Sequence, residues 1–210
     1  MISLSVGFIG IVTSVTKGST GGVTQFVLYD RGAEPDPTFD VAPDSFLAVN
    51  VSPSTVFQFS SRTTNFANQP FDATALAVGQ EVVVHGVFTK PSNPSGLIPP
   101  PLTSVAADKI FVKLQTHEGN FTSLLQAASD DKTGAFILTP CASLLRRAPM
   151  FVFTNSQTSF VNVSGLSALT RQPSLVVKGL LFFDAQGRVI NGFTVPPGTL
   201  VLLAKQVHRL

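Results

Sequence analysis

The sequence contains few of the residue types on which most catalytic and metal sites depend. Its 210 residues include one cysteine, Cys141, and three histidines, His85, His117 and His208. A single cysteine excludes an internal disulfide. The chain has no His-x-Glu-x-x-His or Cys-x-x-Cys spacing for zinc and no Gly-x-Ser-x-Gly nucleophile elbow. We therefore predict that the protein is not an enzyme and has no catalytic residues, no metal site and no other cofactor.

Charge is also scarce. Charged residues make up 12% of the chain against 44% apolar residues, and the formal net charge is +2. This charged share is about half that of an ordinary soluble domain. The only adjacent basic residues are Arg146 and Arg147, so the clustered cations that bind nucleic-acid phosphates are missing. Low charge together with abundant Ser, Thr, Gly and Pro favours an extracytoplasmic bacterial protein, either secreted, periplasmic or at the cell surface.

Long hydrophobic runs are absent too. The chain has 18 Phe and no Trp, but its apolar runs are broken by Lys178, by glycine or by proline. None approaches the roughly 18 to 20 apolar residues of a membrane-spanning helix. The first ten residues, MISLSVGFIG, have neither a basic region nor a cleavage site, and they resemble a strand more than a signal peptide. We expect no transmembrane segment. Either the protein is made without an export signal, or the sequence is that of a mature or trimmed form to which Met1 was added.

What the sequence does contain is a repeat. The segment LAVGQEVVVHG, residues 76–86, returns as LTRQPSLVVKG, residues 169–179. Three further blocks match in the same order: 26–28 with 136–138, 49–57 with 152–160, and 99–110 with 196–207. Four blocks in one order indicate an internal duplication. We predict a first repeat over 1–114 and a second, more degenerate repeat over 119–210, joined by residues 115–118.

Each repeat has the pattern of a small β-barrel. Apolar and polar residues alternate with a period of two, in short runs rich in Val, Phe, Ile and Thr that end at Gly, Pro, Asn or Asp. Many short strands with frequent turns are typical of sandwiches and barrels. We expect His85 and the matching Lys178 to point outward. The side chains expected to point inward are Val82, Val84, Val176, Phe57 and Phe160.

The motifs of the first repeat resemble a known family. They are G-x-V-x-S-V from Gly10, V-x-V with T-x-F after it, L-x-x-G-x-x-V-x-V-x-G from Leu76, and a closing A-x-x-I. This set resembles a bacterial family of unknown function whose repeats form small OB-like barrels in tandem, in exported or lipid-anchored proteins. The resemblance implies an all-β fold of two tandem antiparallel OB-like barrels, and it carries no catalytic residues. The second repeat departs from the motifs, with Asn120 matched to Gly10 and Gln172 at the bend that Gly79 forms.

Acidic residues are concentrated in one loop of the first repeat. Clustered carboxylates can bind calcium, but these follow no EF-hand spacing and three prolines stiffen the segment, so we predict no calcium site. The segment after the matching strand of the second repeat carries two arginines instead. We expect these oppositely charged loops to face each other, between the repeats or between two chains. The candidate interface residues are Asp30, Glu34, Asp36, Asp40, Asp44, Arg146 and Arg147.

For function, two hypotheses follow. The first is a non-catalytic, exported bacterial module that serves as an interaction or structural unit, with a protein, a cell-surface component or a second copy of the chain as partner. The alternative is an OB-like ligand-binding module for oligosaccharide or single-stranded nucleic acid, because such barrels bind both on a strand face. The phenylalanines are the candidate stacking residues for the alternative, although most must fill the barrel interior.

Overall fold

The computed structural model describes residues 5–30, 46–59, 71–89, 103–141, 148–169 and 174–210. The described part of the first half forms strands β1 (Ser5–Lys17), β2 (Val23–Asp30), β3 (Phe46–Asn50), β4 (Val56–Phe59), β5 (Glu81–Thr89) and β6 (Thr103–Val112). The second half forms β7 (Leu114–Ala127), β8 (Gly134–Pro140), β9 (Met150–Thr154), β10 (Ser159–Val161), β11 (Ser174–Asp184), β12 (Val189–Ile190), β13 (Phe193–Thr194) and β14 (Thr199–Arg209). The helical elements of these ranges are a 3-10 turn, Ala73–Ala75, and one short helix, α1 (Leu166–Leu169).

The strands form two closed five-stranded barrels, which follow one another along the chain. In the first barrel β3, β2, β1, β5 and β6 are neighbours in that order and pair antiparallel, and a parallel β3–β6 pair closes the barrel. The second barrel repeats this arrangement with β9, β8, β7, β11 and β14, again with a parallel closing pair. The all-β prediction of two small tandem barrels is confirmed, and their shared strand order is OB-like.

Each barrel is a compact unit. The first unit contains the described residues up to Gln58 and those from Phe71 to Lys113, and the second contains those from Leu114 onward. Residues 115–118, predicted from the sequence to join the two repeats, lie within β7 and pair with β11. They therefore belong to the first strand of the second barrel.

The two interiors contain matching side chains. Phe26 and Phe136 are almost completely buried at the same place in β2 and β8, and Leu76 and Leu169 are buried ahead of the fourth strand of each barrel. Burial of large apolar side chains is the main term that stabilises such a barrel. The matched blocks of the sequence thus correspond to equivalent core positions.

Not every predicted inward residue is inward. Val82 and Val84 are fully buried as expected, but in the second barrel Leu175 and Val177 fill these positions. The prediction for Val176 is wrong, because alternation along β11 turns it to the outer face. The aromatic pair of the T-x-F segments, Phe57 and Phe160, is only half-buried, although Phe160 packs against the core of its barrel.

The second barrel also has a glycine at the position equivalent to Gly10. The sequence pattern predicted Asn120 at this position. Gly10 pairs with residues of β2 and β5, and Gly119 makes the same pairings with β8 and β11. A Cβ atom on Gly10 would collide with the carbonyl oxygen of Tyr29, and one on Gly119 with that of Thr139. Gly119 is therefore the equivalent of Gly10, one residue before the predicted position, because both strands approach their neighbour too closely for a side chain.

A β-bulge occurs at the same place in both barrels. In the first barrel β6 has one extra residue, Asp108, beside Gly86 of β5. In the second, β14 has the extra residue Lys205 beside Gly179 of β11. A Cβ atom on either glycine would collide with a carbonyl group of the neighbouring strand. The glycine that ends each copy of the eleven-residue segment thus permits the bulge.

A buried threonine completes this bulge in each copy. Thr55 Oγ1 donates to the carbonyl of Ala107 (2.7 Å), and it accepts from the backbone N–H three residues earlier (3.0 Å). Thr158 Oγ1 donates to the carbonyl of Ala204 (2.9 Å), and it accepts from the equivalent N–H (2.9 Å). A buried carbonyl left without a partner costs about 1–3 kcal/mol. The threonine therefore stabilises the bulge and fixes the turn before it.

Candidate interaction surfaces

The predicted charged interface lies almost entirely outside the described residues. Asp30 is the last residue of β2, and its side chain is outside the described part. The other candidate positions outside that part are Glu34, Asp36, Asp40, Asp44, Arg146 and Arg147. Opposition of the two loops, and the lack of a calcium site in the acidic one, both stay predictions. Gln172, predicted at the bend of the second repeat, also lies outside these ranges.

The residues considered for catalysis or metal binding lie on different elements. His85 is exposed on β5, with its ring edge-on to Phe111 at a centroid distance of 5.5 Å. His208 on β14 contacts the amide of Asn162 through Nε2 at 3.0 Å. His117 lies on β7, and Cys141 is an exposed free cysteine. Among the described residues, no group of three His, Cys, Asp or Glu side chains is placed to hold a metal ion.

The adjacent acids of the second repeat have structural contacts in the β7–β8 turn. Asp130 accepts hydrogen bonds from the backbone N–H of Thr133 (2.8 Å), the Thr133 hydroxyl (2.7 Å) and the N–H of Lys132 (3.0 Å). These bonds, led by the Thr133 N–H, lower the pKa of Asp130 below its ordinary value. Asp131 accepts from the N–H (2.8 Å) and hydroxyl (2.7 Å) of Ser167, which attaches α1 to this turn.

The outer side of the first barrel presents an apolar surface. Ile9 of β1 is 48% exposed and pairs with Val83 of β5, which pairs with Phe111 of β6. The neighbours of Val83 and Phe111 along their strands are buried, so these side chains point away from the core. They form one row of the surface, across three neighbouring strands.

A second row lies beside the first. Ile11 pairs with Tyr29 of β2, which pairs with Phe46 of β3. Phe46 is 49% exposed, and its ring lies 5.2 Å from the Tyr29 ring. The ion pair between Glu81 and Lys113 (2.9 Å) lies at the β5 and β6 end of this row. We call these two rows the apolar face; its residues are Ile9, Ile11, Tyr29, Phe46, Val83 and Phe111, of which Ile11 is itself buried.

The equivalent surface of the second barrel is mostly polar. The shared registers place Glu118 at the position of Ile9, Asn120 at that of Ile11, Thr139 at that of Tyr29 and His208 at that of Phe111. Of the four, Glu118 and Asn120 are exposed. Because the barrel forms with either set, the fold does not require the apolar side chains of the first copy.

The second barrel has a polar cleft of its own, of about 250 Å³. It is lined by Gln157, Ser159, Lys178, Lys205 and Gln206, and we call it the polar cleft. Its walls are the turn before β10, β10 itself, and the two strands on either side of the bulge. The cleft therefore depends on the bulge that Gly179 permits.

The first barrel has different residues at these places. The equivalents of the cleft residues, in the same order, are Ser54, Val56, His85, Asp108 and Lys109. An aspartate thus occupies the bulge where the second barrel has a lysine, and Val56 replaces a hydroxyl. His85 matches Lys178 in the repeated segment of the sequence, whereas the position of Lys205 depends on the bulge.

No helix of the described residues is long and apolar enough to cross a membrane. Comparison of the chain with protein-family models gives no match. No curated protein matches it, and no solved structure matches it.

Proposed function

We propose that this chain is a non-catalytic interaction or structural module of an exported bacterial protein, in which two OB-like barrels present different outer surfaces. The observation that carries the proposal is the contrast between the copies. Their strand glycines, bulges and buried threonines are equivalent, whereas four of the six residues of the apolar face are replaced by polar ones in the second barrel. Divergence restricted to the surface favours a role in contacts with other molecules.

The apolar face suits a protein partner with an apolar surface of its own. Tyr and Phe are enriched at the centres of protein interfaces, where their burial contributes most of the affinity. Phe46 and Ile9 are each about half exposed, so each has area left to bury. The chain is poor in charge, and apolar contact is the main contribution that this face can make to binding.

The bacterial and extracytoplasmic assignment rests on the sequence. The motif residues that resemble the family of tandem OB-like repeats have structural roles in the barrel: Gly10 in a close strand approach, Gly79 with a φ of 79° at a bend, and Gly86 at the bulge. Membership of that family, and a location outside the cytoplasm, are proposed on these residues and on the low charge.

Binding to a bacterial envelope fraction tests the proposal. The purified chain should bind saturably, and the double variant Ile9→Glu with Phe46→Ser should bind about tenfold more weakly, because interface anchors contribute about 2 kcal/mol or more. Glu118→Gln, at the position equivalent to Ile9, is the matched control and should bind like the parent. Absence of saturable binding, or equal binding by all variants, would contradict the proposal. A dimer lost in the double variant, seen by sedimentation, would assign the apolar face to a second copy of the chain.

A second candidate function is ligand binding by the second barrel. The polar cleft favours it, because cationic, amide and hydroxyl groups converge there. Small-molecule sites are concave and have a few polar groups that fix the ligand's orientation. A thermal-shift screen against oligosaccharides and oligonucleotides tests this candidate, since a ligand that binds only the folded state raises the melting temperature.

A further inference from the structure

We propose that the polar cleft binds an acidic saccharide, with a sulfate or carboxylate group of the sugar held between Lys178 and Lys205. This inference rests on the ligand-binding candidate and does not involve the apolar face. The two can therefore fail separately, because they concern different barrels and different experiments.

The charge of the cleft selects an anion. Of the described residues that line it, two of five are lysines and none is acidic. Glu118 is an acid on the same sheet face, but it pairs with Val176 and lies outside the lining. At the equivalent place in the first barrel, Asp108 and Lys109 offset each other next to His85. The cleft of the second barrel thus carries a positive charge that its copy lacks.

The remaining lining residues suit a sugar better than a nucleic acid. The amides of Gln157 and Gln206 and the hydroxyl of Ser159 can each donate and accept hydrogen bonds, as sugar hydroxyls do. Binding of single-stranded nucleic acid uses aromatic side chains on which bases stack. No aromatic side chain is among the described residues that line the cleft. An acidic sugar would match both the charge and the hydrogen-bonding groups.

The cleft is held in shape by buried contacts. Thr158 lies between Gln157 and Ser159, and its hydroxyl donates to the carbonyl of Ala204, the residue before Lys205. The N–H of Gln157 also donates to the side chain of Asn155 at 3.0 Å. One hydrogen bond therefore fixes the turn on one side of the cleft to the bulge on the other. Such preorganisation reduces the conformational cost of binding.

Isothermal titration with four probes tests the proposal. The probes are a heparin hexasaccharide, which carries sulfate and carboxylate groups, a neutral maltohexaose, a single-stranded hexadeoxynucleotide and sodium sulfate. We expect the heparin fragment to bind and maltohexaose to show no binding. The double variant Lys178→Gln with Lys205→Gln should weaken heparin binding about tenfold or more, because truncating close charged contacts has effects of that size. Lys109→Gln, which removes a lysine of the first barrel, should change the affinity for heparin by less than about twofold, because an exposed charge away from the site contributes little.

The other probes identify the source of the anion. If sulfate competes weakly and the heparin fragment binds with much higher affinity, the result supports a site that recognises both the charge and the sugar. Equal affinity for sulfate and the heparin fragment would overturn the saccharide and leave a simple anion site. Tighter binding of the oligonucleotide, lost in the double lysine variant, would assign the cleft to nucleic acid instead. Unchanged heparin binding in that variant would overturn the proposal.

A positioning variant gives a second readout. Thr158→Val keeps the side-chain shape but removes the bond that joins the turn to the bulge, so heparin binding should weaken by about threefold to tenfold through lost preorganisation. Thr55→Val breaks the same network in the first barrel and should leave binding unchanged at a temperature where both variants are folded. Equal losses in the two variants would indicate a general effect on stability and would contradict a positioning role for Thr158.

Discussion

In the first barrel Ile9 lies on the outer face of β1 with 48% of its surface exposed, whereas the equivalent residue of the second barrel is Glu118. At the bulge the same comparison sets Asp108 against Lys205. Inside the barrels the equivalents are Phe26 with Phe136 and Thr55 with Thr158, with the same chemistry in both copies. The difference teaches that core and bulge specify the fold, while each outer face was free to acquire its own contacts.

The largest expected effect concerns the shared interior. Phe26→Ala and Phe136→Ala should each lower the free energy of unfolding by about 3–5 kcal/mol, because both remove a fully buried ring. Urea unfolding followed by circular dichroism measures both. The only tyrosine, Tyr29, lies in the first barrel, so its fluorescence follows the Phe26 variant specifically. If only one of the two variants lost less than about 1 kcal/mol of unfolding free energy, the two barrel interiors would not be equivalent.

A smaller effect should come from the threonine of each bulge. Thr55→Val and Thr158→Val each leave a buried carbonyl without its donor, at a cost of about 1–3 kcal/mol. The two losses in chemical denaturation should agree within a factor of about two, the usual context dependence of such contacts. Thr13→Val, at the partly exposed bulge of β1, is a control and should lower the free energy of unfolding by less than either variant.

The smallest effect distinguishes the two hairpin turns. The β7–β8 turn has Asp130, whereas the β1–β2 turn over residues 18–22 has no acid. Because the pKa of Asp130 is lowered in the folded state, its stabilising contribution is present above the unfolded pKa of about 3.9 and is lost as pH falls through the lower folded pKa. Asp130→Asn should therefore be less stable than the parent near neutral pH, and this difference should narrow as the pH falls below the unfolded pKa of about 3.9. A stability difference that does not narrow on acidification would contradict this assignment.

Much of the fold could be predicted from the sequence, since four repeated blocks carry the core residues in order. The prediction for Val176 failed because it did not follow the alternation through LVVKG. Val176 shares a strand face with Lys178, which was expected to point outward, whereas Val177 matches Val84 and is buried. The match of Asn120 to Gly10 was one residue out, because the close strand approach that requires glycine depends on pairing partners distant in sequence.

The candidate sites were harder to predict. The polar cleft needs Lys178 and Lys205 from different strands, together with Gln157 from a turn. Lys205 enters this group through a bulge, and bulges have no local sequence signal beyond the glycine opposite. The apolar face was missed because its residues alternate with core residues of the same chemical type. The two oppositely charged loops, by contrast, are evident in the sequence, and the expectation that they face each other stays a prediction.

The parallel pair that closes each barrel has a consequence for solubility. A chain with 44% apolar and 12% charged residues has little electrostatic repulsion to keep unfolded or partly opened copies apart. Exposed strand edges are the usual templates for aggregation, and closure through β3–β6 and β9–β14 leaves β3 and β9 paired on both sides. Resistance to aggregation should therefore depend on these two short parallel strand pairs. Weakening either pair should promote fibrous or amorphous assembly before the chain loses its strand content.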